Sequence, residues 1–397
     1  MRIAITTNLF PPIQTGTAHY AQELAQNLAR AGHDVTVITC SLINEYSQEI
    51  VDGYKVFRLP SYKLPVSKLL LGFEQFYLGY IPGNKRRVKE ILVQERIEIV
   101  HHCSHLLDLV YLVPGACKQL GIPAVCSIHT LIHYPGNKFI ERLMVLVDKT
   151  FIKWLAVLRY QGMVALDVLS ADYIRDRYHH PNIRNVTLCI GPDVLEFPPA
   201  NALDQTGTFK ILSVGHVTSM RHRVDLIRAV HRLVQDGFDV KLTIVGKVLD
   251  PTPVKLVEEL DLSEIVCFKG EMSRSVILEL AREYHVEAHW ITIPGLGTAI
   301  IESMALGLPT MTYGYSGMYG DVPLADMENI VFIPSGDVEQ IAKKLAMLAN
   351  TPALRISIGS KARELVSEFL TWPKAVADLG NFYSEIIVSH KTGQSIG

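Results

Sequence analysis

The six cysteines of this 397-residue chain, Cys40, Cys103, Cys117, Cys126, Cys189 and Cys267, form no C-x-x-C pair. Their scatter fits neither a disulfide framework nor zinc-ligand spacing. Most lie in apolar surroundings, and the six read as reduced, buried, structural thiols of a cytoplasmic protein. No stretch of about 18 uninterrupted apolar residues occurs, so no transmembrane helix is expected. The N-terminus, MRIAITTNLFPP, has only a short apolar run and reads as a first β-strand, not a signal peptide. A formal net charge of −2 leaves no basic field for nucleic acid. The segment TNLFPPIQTGTAH after that strand is not G-x-G-x-x-G, and VTVITC (35–40) brings no acid to the end of the second strand. Both absences argue against a dinucleotide-dependent dehydrogenase.

What is present is alternation. RIAITT reads as a strand, YAQELAQNLARAG as a helix and HDVTVITC as a strand. IEIVHHCS, LLDLVYLVPGACKQLG and PAVCSIHT repeat the pattern, and VTLCIG (186–191) reads as the last strand of this half. Strands alternating with helices imply parallel sheets covered on both faces. A second series begins at FKILSVGH and runs to LPTMTYG, followed by helical sequence. The length is too great for one ordinary core. The expectation is an α/β chain of two Rossmann-like, doubly wound domains facing a cleft. An N-terminal domain spans 1–191, a Pro-, Asp- and Asn-rich linker 192–207, and a C-terminal domain 208–372. A helix over 373–397 is expected to pack back on the N-terminal domain.

The stretch PGLGTAIIESMALGLP (294–309) places a glycine-containing loop before a helix. Free N–H groups and the positive end of the helix dipole converge at such a junction and suit a phosphate. Glu302, a turn or so inside, is placed to accept hydrogen bonds from vicinal hydroxyls. A G-x-G alone is weak evidence, and a packing loop with a surface glutamate is the plain alternative.

Four local patterns in sequence order resemble the retaining GT-B glycosyltransferases of group 1, or family 4. They are PPIQTGTAHYAQELAQNLARAGHDVTVIT, IVHHCS…LGIPAVCSIHT, ILSVGH…RHRVDLIRAV and GLGTAIIESMALGLPTM. The resemblance covers nearly the whole chain. It implies transfer of a sugar from a UDP- or GDP-linked donor to a glycan or lipid-linked acceptor, with retention of anomeric configuration and without a metal or other cofactor. Cationic side chains and helix N-termini would then neutralise the leaving diphosphate.

Carried over position by position, the family's arginine after the first strand of the C-terminal domain is His216 here. Its lysine falls at Arg221, the first choice, or Arg223, because one residue is inserted before Asp225. Arginine suits a phosphate through two parallel donors. The family's E-x7-E pair would stand at 294 and 302. Glu302 is kept and by resemblance holds the ribose hydroxyls, but position 294 is proline and has no side-chain acceptor for the donor sugar. The backbone N–H groups of Gly295, Leu296 and Gly297, with Thr298, are the remaining contacts for sugar or diphosphate. Gly16 matches the loop that meets the diphosphate and reacting centre, with Thr15 and Thr17 as flanking donors. His129, at a strand end, matches the family's active-site histidine. His101 and His102 end another strand, and one of them is a candidate for the acceptor side.

The segments 61–96 and 138–160 mix aliphatic and aromatic residues (Leu69, Leu70, Leu71, Phe73, Phe76, Tyr77 and Leu78 in the first) with lysines and arginines. Such mixtures suit an anionic membrane surface and also a core helix with a solvated basic face. With a lipid-linked acceptor in view, peripheral association with the inner face of the plasma membrane is the expectation. Two rival functions remain: a sugar-nucleotide epimerase, for which the donor loop offers only Glu302 as a carboxylate, and a silent nucleotide-sugar-binding subunit, favoured by Pro294 and His216.

Overall fold

The computed structural model describes residues 1–13, 15–64, 77–132, 138–187, 189–201, 206–292, 294–320, 322–334 and 336–393. It divides into two compact units, Met1–Thr187 with Trp372–Gly397, and Leu188–Thr371.

The first unit runs β1 (Arg2–Thr6), α1 (Gly16–Arg30), β2 (Asp34–Cys40), β3 (Ser47–Val51), β4 (Tyr54–Leu59), β5 (Tyr62–Lys63), β6 (Tyr77–Leu78), α2 (Asn84–Gln94), β7 (Ile99–Cys103), α3 (Leu109–Leu120), β8 (Ala124–Ile128), α4 (Lys138–Val147), α5 (Lys153–Leu155), β9 (Gly162–Ala165), α6 (Val168–Tyr173) and β10 (Ile183–Asn185). Its large sheet has the order β10-β9-β8-β7-β1-β2-β4-β3, parallel except for the β3–β4 hairpin. Ile3, Ala4 and Ile5 of β1 are wholly buried, as a central strand covered on both faces requires. The helix after β1 starts at Gly16, earlier than the apolar spacing from Tyr20 indicates. Thr15 caps it by accepting a hydrogen bond from Ala18 N–H at 3.2 Å. VTLCIG is not a strand: the last strand is β10, and beyond it Ile190 makes only an isolated bridge to Thr371.

The second unit runs α7 (Pro192–Glu196), β11 (Phe209–Val214), α8 (Arg223–Gln235), β12 (Val240–Val245), α9 (Thr252–Glu259), β13 (Val266–Gly270), α10 (Arg274–Ala281), β14 (Val286–Ala288), α11 (Thr298–Ala305), β15 (Thr310–Tyr313), β16 (Val331–Ile333), α12 (Val338–Asn350) and α13 (Pro352–Phe369). Its sheet order is β13-β12-β11-β14-β15-β16, all parallel, so the strand order reverses between β11 and β14. Side chains alternate across the sheet: Phe209 and Ile211 join one core cluster, Leu212 and Val214 the other. The segment read as a linker is in part a folded piece of this unit. Arg363 donates to the carbonyls of Leu195 (2.7 Å) and Phe197 (3.3 Å) and holds α7 in place.

The chain then returns to the first unit as α14 (Trp372–Thr392). Tyr383 Oη lies 2.5 Å from His101 Nδ1, and Phe382 covers Gly162, where any side chain would collide with its ring. Cys40, Cys103, Cys117 and Cys126 are buried, but Cys189 is half-buried and Cys267 exposed, which corrects the reading of all six as core thiols. Among the described residues, no helix is long and apolar enough to cross a membrane.

The ends of β11 and β12 touch through backbone alone. A Cβ on Gly246, at φ +142°, would lie 2.5 Å from the Gly215 carbonyl carbon and 2.7 Å from His216 N. Neither neighbour is a side chain that can turn aside. Gly246→Ala is expected to lower unfolding stability by roughly 3 kcal/mol, measured by denaturant titration.

Candidate active site

In an open parallel sheet, ligands settle at the carboxyl ends of the strands where the order reverses. In the second unit that place lies beyond β11 and β14. Gly215, at φ +120°, follows β11, and the Arg221 guanidinium lies over it: a Cβ there would be 2.9 Å from Arg221 Cζ. Only glycine leaves that seat open. The 219–222 turn carrying Arg221 is tied to the loop after β14, because Thr292 N–H donates to Met220 O at 3.1 Å. Burial lowers the Arg221 pKa and Glu287 opposes that effect. His216 is exposed, and its Nδ1 accepts from Lys247 N–H at 3.1 Å, leaving Nε2 to carry the hydrogen.

Arg223 behaves differently from its sequence reading. It is 1% exposed, and its guanidinium donates to Ser213 Oγ (2.5 Å) and to the carbonyls of Val214 (3.0 Å) and Gly215 (3.4 Å). Burial lowers its pKa to about 9, against the pull of Glu287. It braces the end of β11 and is not placed to meet a ligand. Ser213 in turn donates to Ala288 O, joining the two strands at the reversal.

The loop before α11 also redistributes the donors. Gly295 N–H donates to Tyr313 O at 3.2 Å and Leu296 N–H to Tyr319 Oη at 2.7 Å, so neither is open to a ligand as expected from sequence. The N–H groups of Gly297, Thr298 and Ala299 have no acceptor among the described residues, since the first bonds of the helix run from Ile300 and Ile301 to Gly297 O. These three sit at the positive end of α11. Glu302 is 8% exposed, and its Oε1 accepts from Arg274 Nε at 2.5 Å. Arg274 also donates to Asp193 at 2.7 Å, so the carboxylate is already oriented by a cation.

Two residues went unnoticed in the sequence. Glu287, wholly buried in β14, accepts at Oε1 from His289 Nδ1 (2.5 Å) and from Val214 N–H (3.3 Å). The signal was available: in V-E-A-H-W an acid and an imidazole occupy alternate positions of an otherwise apolar strand and therefore share a face.

In the first unit, Gly16 and Thr17 open α1, and their N–H groups have no acceptor among the described residues. Gly16 is exposed, with nothing within 4 Å of where a Cβ would be. His129 follows β8, with Nε2 2.7 Å from Ser127 Oγ and its ring edge-on to Tyr20 at 4.6 Å. Burial pushes its pKa down to about 3, so it is a neutral hydrogen-bonding group. His101 and His102 are wholly buried, engaged with Tyr383 and with Thr6 Oγ1 (2.8 Å), so neither lines a surface as the sequence reading suggested. In the segment 61–96, Leu69, Leu70, Leu71, Phe73, Phe76 and Lys68 lie outside the described residues.

In chain order, the sequence matches Glycosyltransferase Family 4 over residues 15–191 and Glycosyl transferases group 1 over residues 198–365. It is 25% identical over 358 residues to an uncharacterized glycosyltransferase of Haemophilus influenzae, with 89% of this chain and 92% of that one covered. It is 24% identical to the MMP alpha-(1->4)-mannosyltransferase of Mycolicibacterium hassiacum, with 98% of each chain covered. The fold is similar to that of sucrose-phosphate synthase from Thermosynechococcus elongatus, at a TM-score of 0.74 and 17% identity over 98% of this chain and 100% of that one. It is also similar to Anabaena HepE in complex with UDP and glucose, at a TM-score of 0.68 and 14% identity over 97% and 99% of the two chains. With both family matches falling in order on two parallel-sheet units, the chain belongs to the group 1 glycosyltransferases of GT-B fold.

Proposed function

We propose that this chain is a retaining glycosyltransferase that moves a sugar from a nucleotide-diphospho-sugar to a glycan or lipid-linked acceptor without a metal. The observation that carries this reading is the grouping at the strand reversal of the second unit. Arg221 lies over Gly215, the free N–H groups of Gly297, Thr298 and Ala299 begin α11, and Glu302 stands a turn inside. Arg221 and the helix N-terminus supply positive potential to the departing diphosphate, and His216 Nε2–H adds a donor. Glu302, held by Arg274, accepts from the ribose hydroxyls. In the first unit, the N–H groups of Gly16 and Thr17 and the neutral His129 ring keep the hydrogen-bonding roles that the family resemblance gives them. No carboxylate is assigned as nucleophile, and the leaving phosphate itself deprotonates the acceptor on the same face. Anabaena HepE is complexed with UDP and glucose, which puts UDP first among the donor bases to test.

The acceptor reading draws on α4 and the turns after it. Phe139 (75% exposed), Leu143, Leu146, Phe151 (61%) and Trp154 (66%) are exposed in a segment that also exposes Arg142, Lys149 and Arg159. Buried Asp148 pins the segment beneath, accepting from Tyr178 Oη (2.5 Å), Tyr173 Oη (2.5 Å) and Arg177 Nη1 (3.1 Å). Apolar side chains facing outward among cations suit an anionic bilayer surface, where a lipid-linked acceptor resides.

Two measurements test these readings. Thermal unfolding with nucleoside diphosphates and nucleotide sugars, at about a hundred times Kd, should raise Tm by roughly 5 to 10 °C for one base, with or without Mg²⁺. Arg221→Ala should weaken that nucleotide by about 10- to 100-fold, and Glu302→Ala should remove most of the shift. No shift with any nucleotide would sink the catalytic assignment. Co-sedimentation should show binding to phosphatidylglycerol vesicles and little to phosphatidylcholine alone. The double variant Phe151→Asp/Trp154→Asp should lower that binding about a hundredfold; unchanged binding removes the membrane reading.

A further inference from the structure

His289 is 4% exposed, and its hydrogen bonding fixes which nitrogen carries the hydrogen. Its Nδ1 faces Glu287 Oε1 at 2.5 Å. Glu287 Oε1 also accepts from Val214 N–H at 3.3 Å, which makes that oxygen the acceptor of the pair. The hydrogen of the pair therefore sits on Nδ1, and Nε2 presents a lone pair. Desolvation by burial lowers the imidazole pKa, outweighing the opposing effect of Glu287, and keeps the ring neutral.

No described residue donates to Nε2. It lies 3.5 Å from where a Cβ of Gly297 would be, and Gly297 is exposed. Any larger residue at 297 would cover this nitrogen. One buried acceptor thus opens beside the free N–H groups of Gly297, Thr298 and Ala299. The two kinds of group want different partners. An anion satisfies the N–H donors but is repelled by a lone pair, whereas a hydroxyl satisfies the lone pair. A phosphorylated sugar carries both. Position 294, just upstream, is proline and offers no side-chain acceptor.

We propose that His289, held by Glu287, accepts a hydrogen bond from a hydroxyl of the donor sugar and selects donors that carry it. The inference rests on the nucleotide-sugar reading of the same site. It makes His289 a specificity-determining residue that distinguishes a nucleotide sugar from the bare nucleoside diphosphate.

The test is calorimetric titration of the full chain with UDP and UDP-glucose and with GDP and GDP-mannose. Wild type is compared with His289→Ala and with His289→Phe, which keeps a ring of similar shape should the alanine variant fail to fold. Both variants should bind the nucleotide sugar roughly tenfold more weakly than wild type and leave the matching nucleoside diphosphate unchanged. His289→Gln, whose Oε1 can accept, should recover part of the loss. Deoxy analogues of the sugar should include one whose loss in wild type does not add to that of His289→Phe. Equal weakening of diphosphate and sugar would place His289 on the phosphate and overturn the proposal, and so would unchanged binding of both. Failure of wild type to bind any of the four ligands would instead overturn the donor reading on which the proposal stands.

Discussion

The second unit depends on one constraint, the contact of two strand ends through bare backbone. Gly246 lies against the Gly215 carbonyl, and Gly215 in turn carries the Arg221 guanidinium on its open face. Beneath them Ser213 bridges to Ala288, and Arg223 collects the last carbonyls of β11. The region is a stack of polar groups in a place that burial would otherwise make apolar. Ser213 and the last carbonyls of β11 are each engaged by a neighbouring polar group.

This arrangement separates two tasks that sequence alone runs together. Arg221 and Arg223 stand two residues apart, and both fit a phosphate-binding role by type. Their surroundings decide between them: one guanidinium is enclosed by carbonyls and a hydroxyl, the other lies on a glycine at the loop. The loop before α11 divides in the same way. Gly295 and Leu296 spend their N–H groups on Tyr313 and Tyr319, partners that arrive from β15 and the segment after it. A helix N-terminus can be read from a glycine followed by Thr298. Which of its donors remain free depends on residues roughly 20 positions away in the chain, which no local pattern encodes.

Much of the architecture was legible because parallel strands buried on both faces leave apolar runs, and the helices between them end on glycines. The errors have specific causes. Thr15 moved the start of α1 upstream because a capping hydroxyl outweighs the apolar period that begins at Tyr20. VTLCIG has the β-branched composition of a strand, yet Ile190 pairs only with Thr371. His101 and His102 looked like strand-end ligands, but the sheet around them is covered and Tyr383, from nearly 300 residues on, takes up one of them. Glu287 and His289 alternate visibly in the sequence, but their mutual hydrogen bond and their place beside the arginines come from the fold.

The return of α14 to the first unit bears on how the chain matures. The second unit is one continuous segment, Leu188–Thr371, and can close as soon as that segment has left the ribosome. The first unit cannot. Its face around Gly162 and His101 stays uncovered until Phe382 and Tyr383, some 200 residues further on, have been made. During that interval the Gly162 backbone and the His101 imidazole lack the ring and the hydroxyl that the finished fold places on them. A ribosome that stalls or terminates just before Trp372 would release a chain with one finished half and one open one.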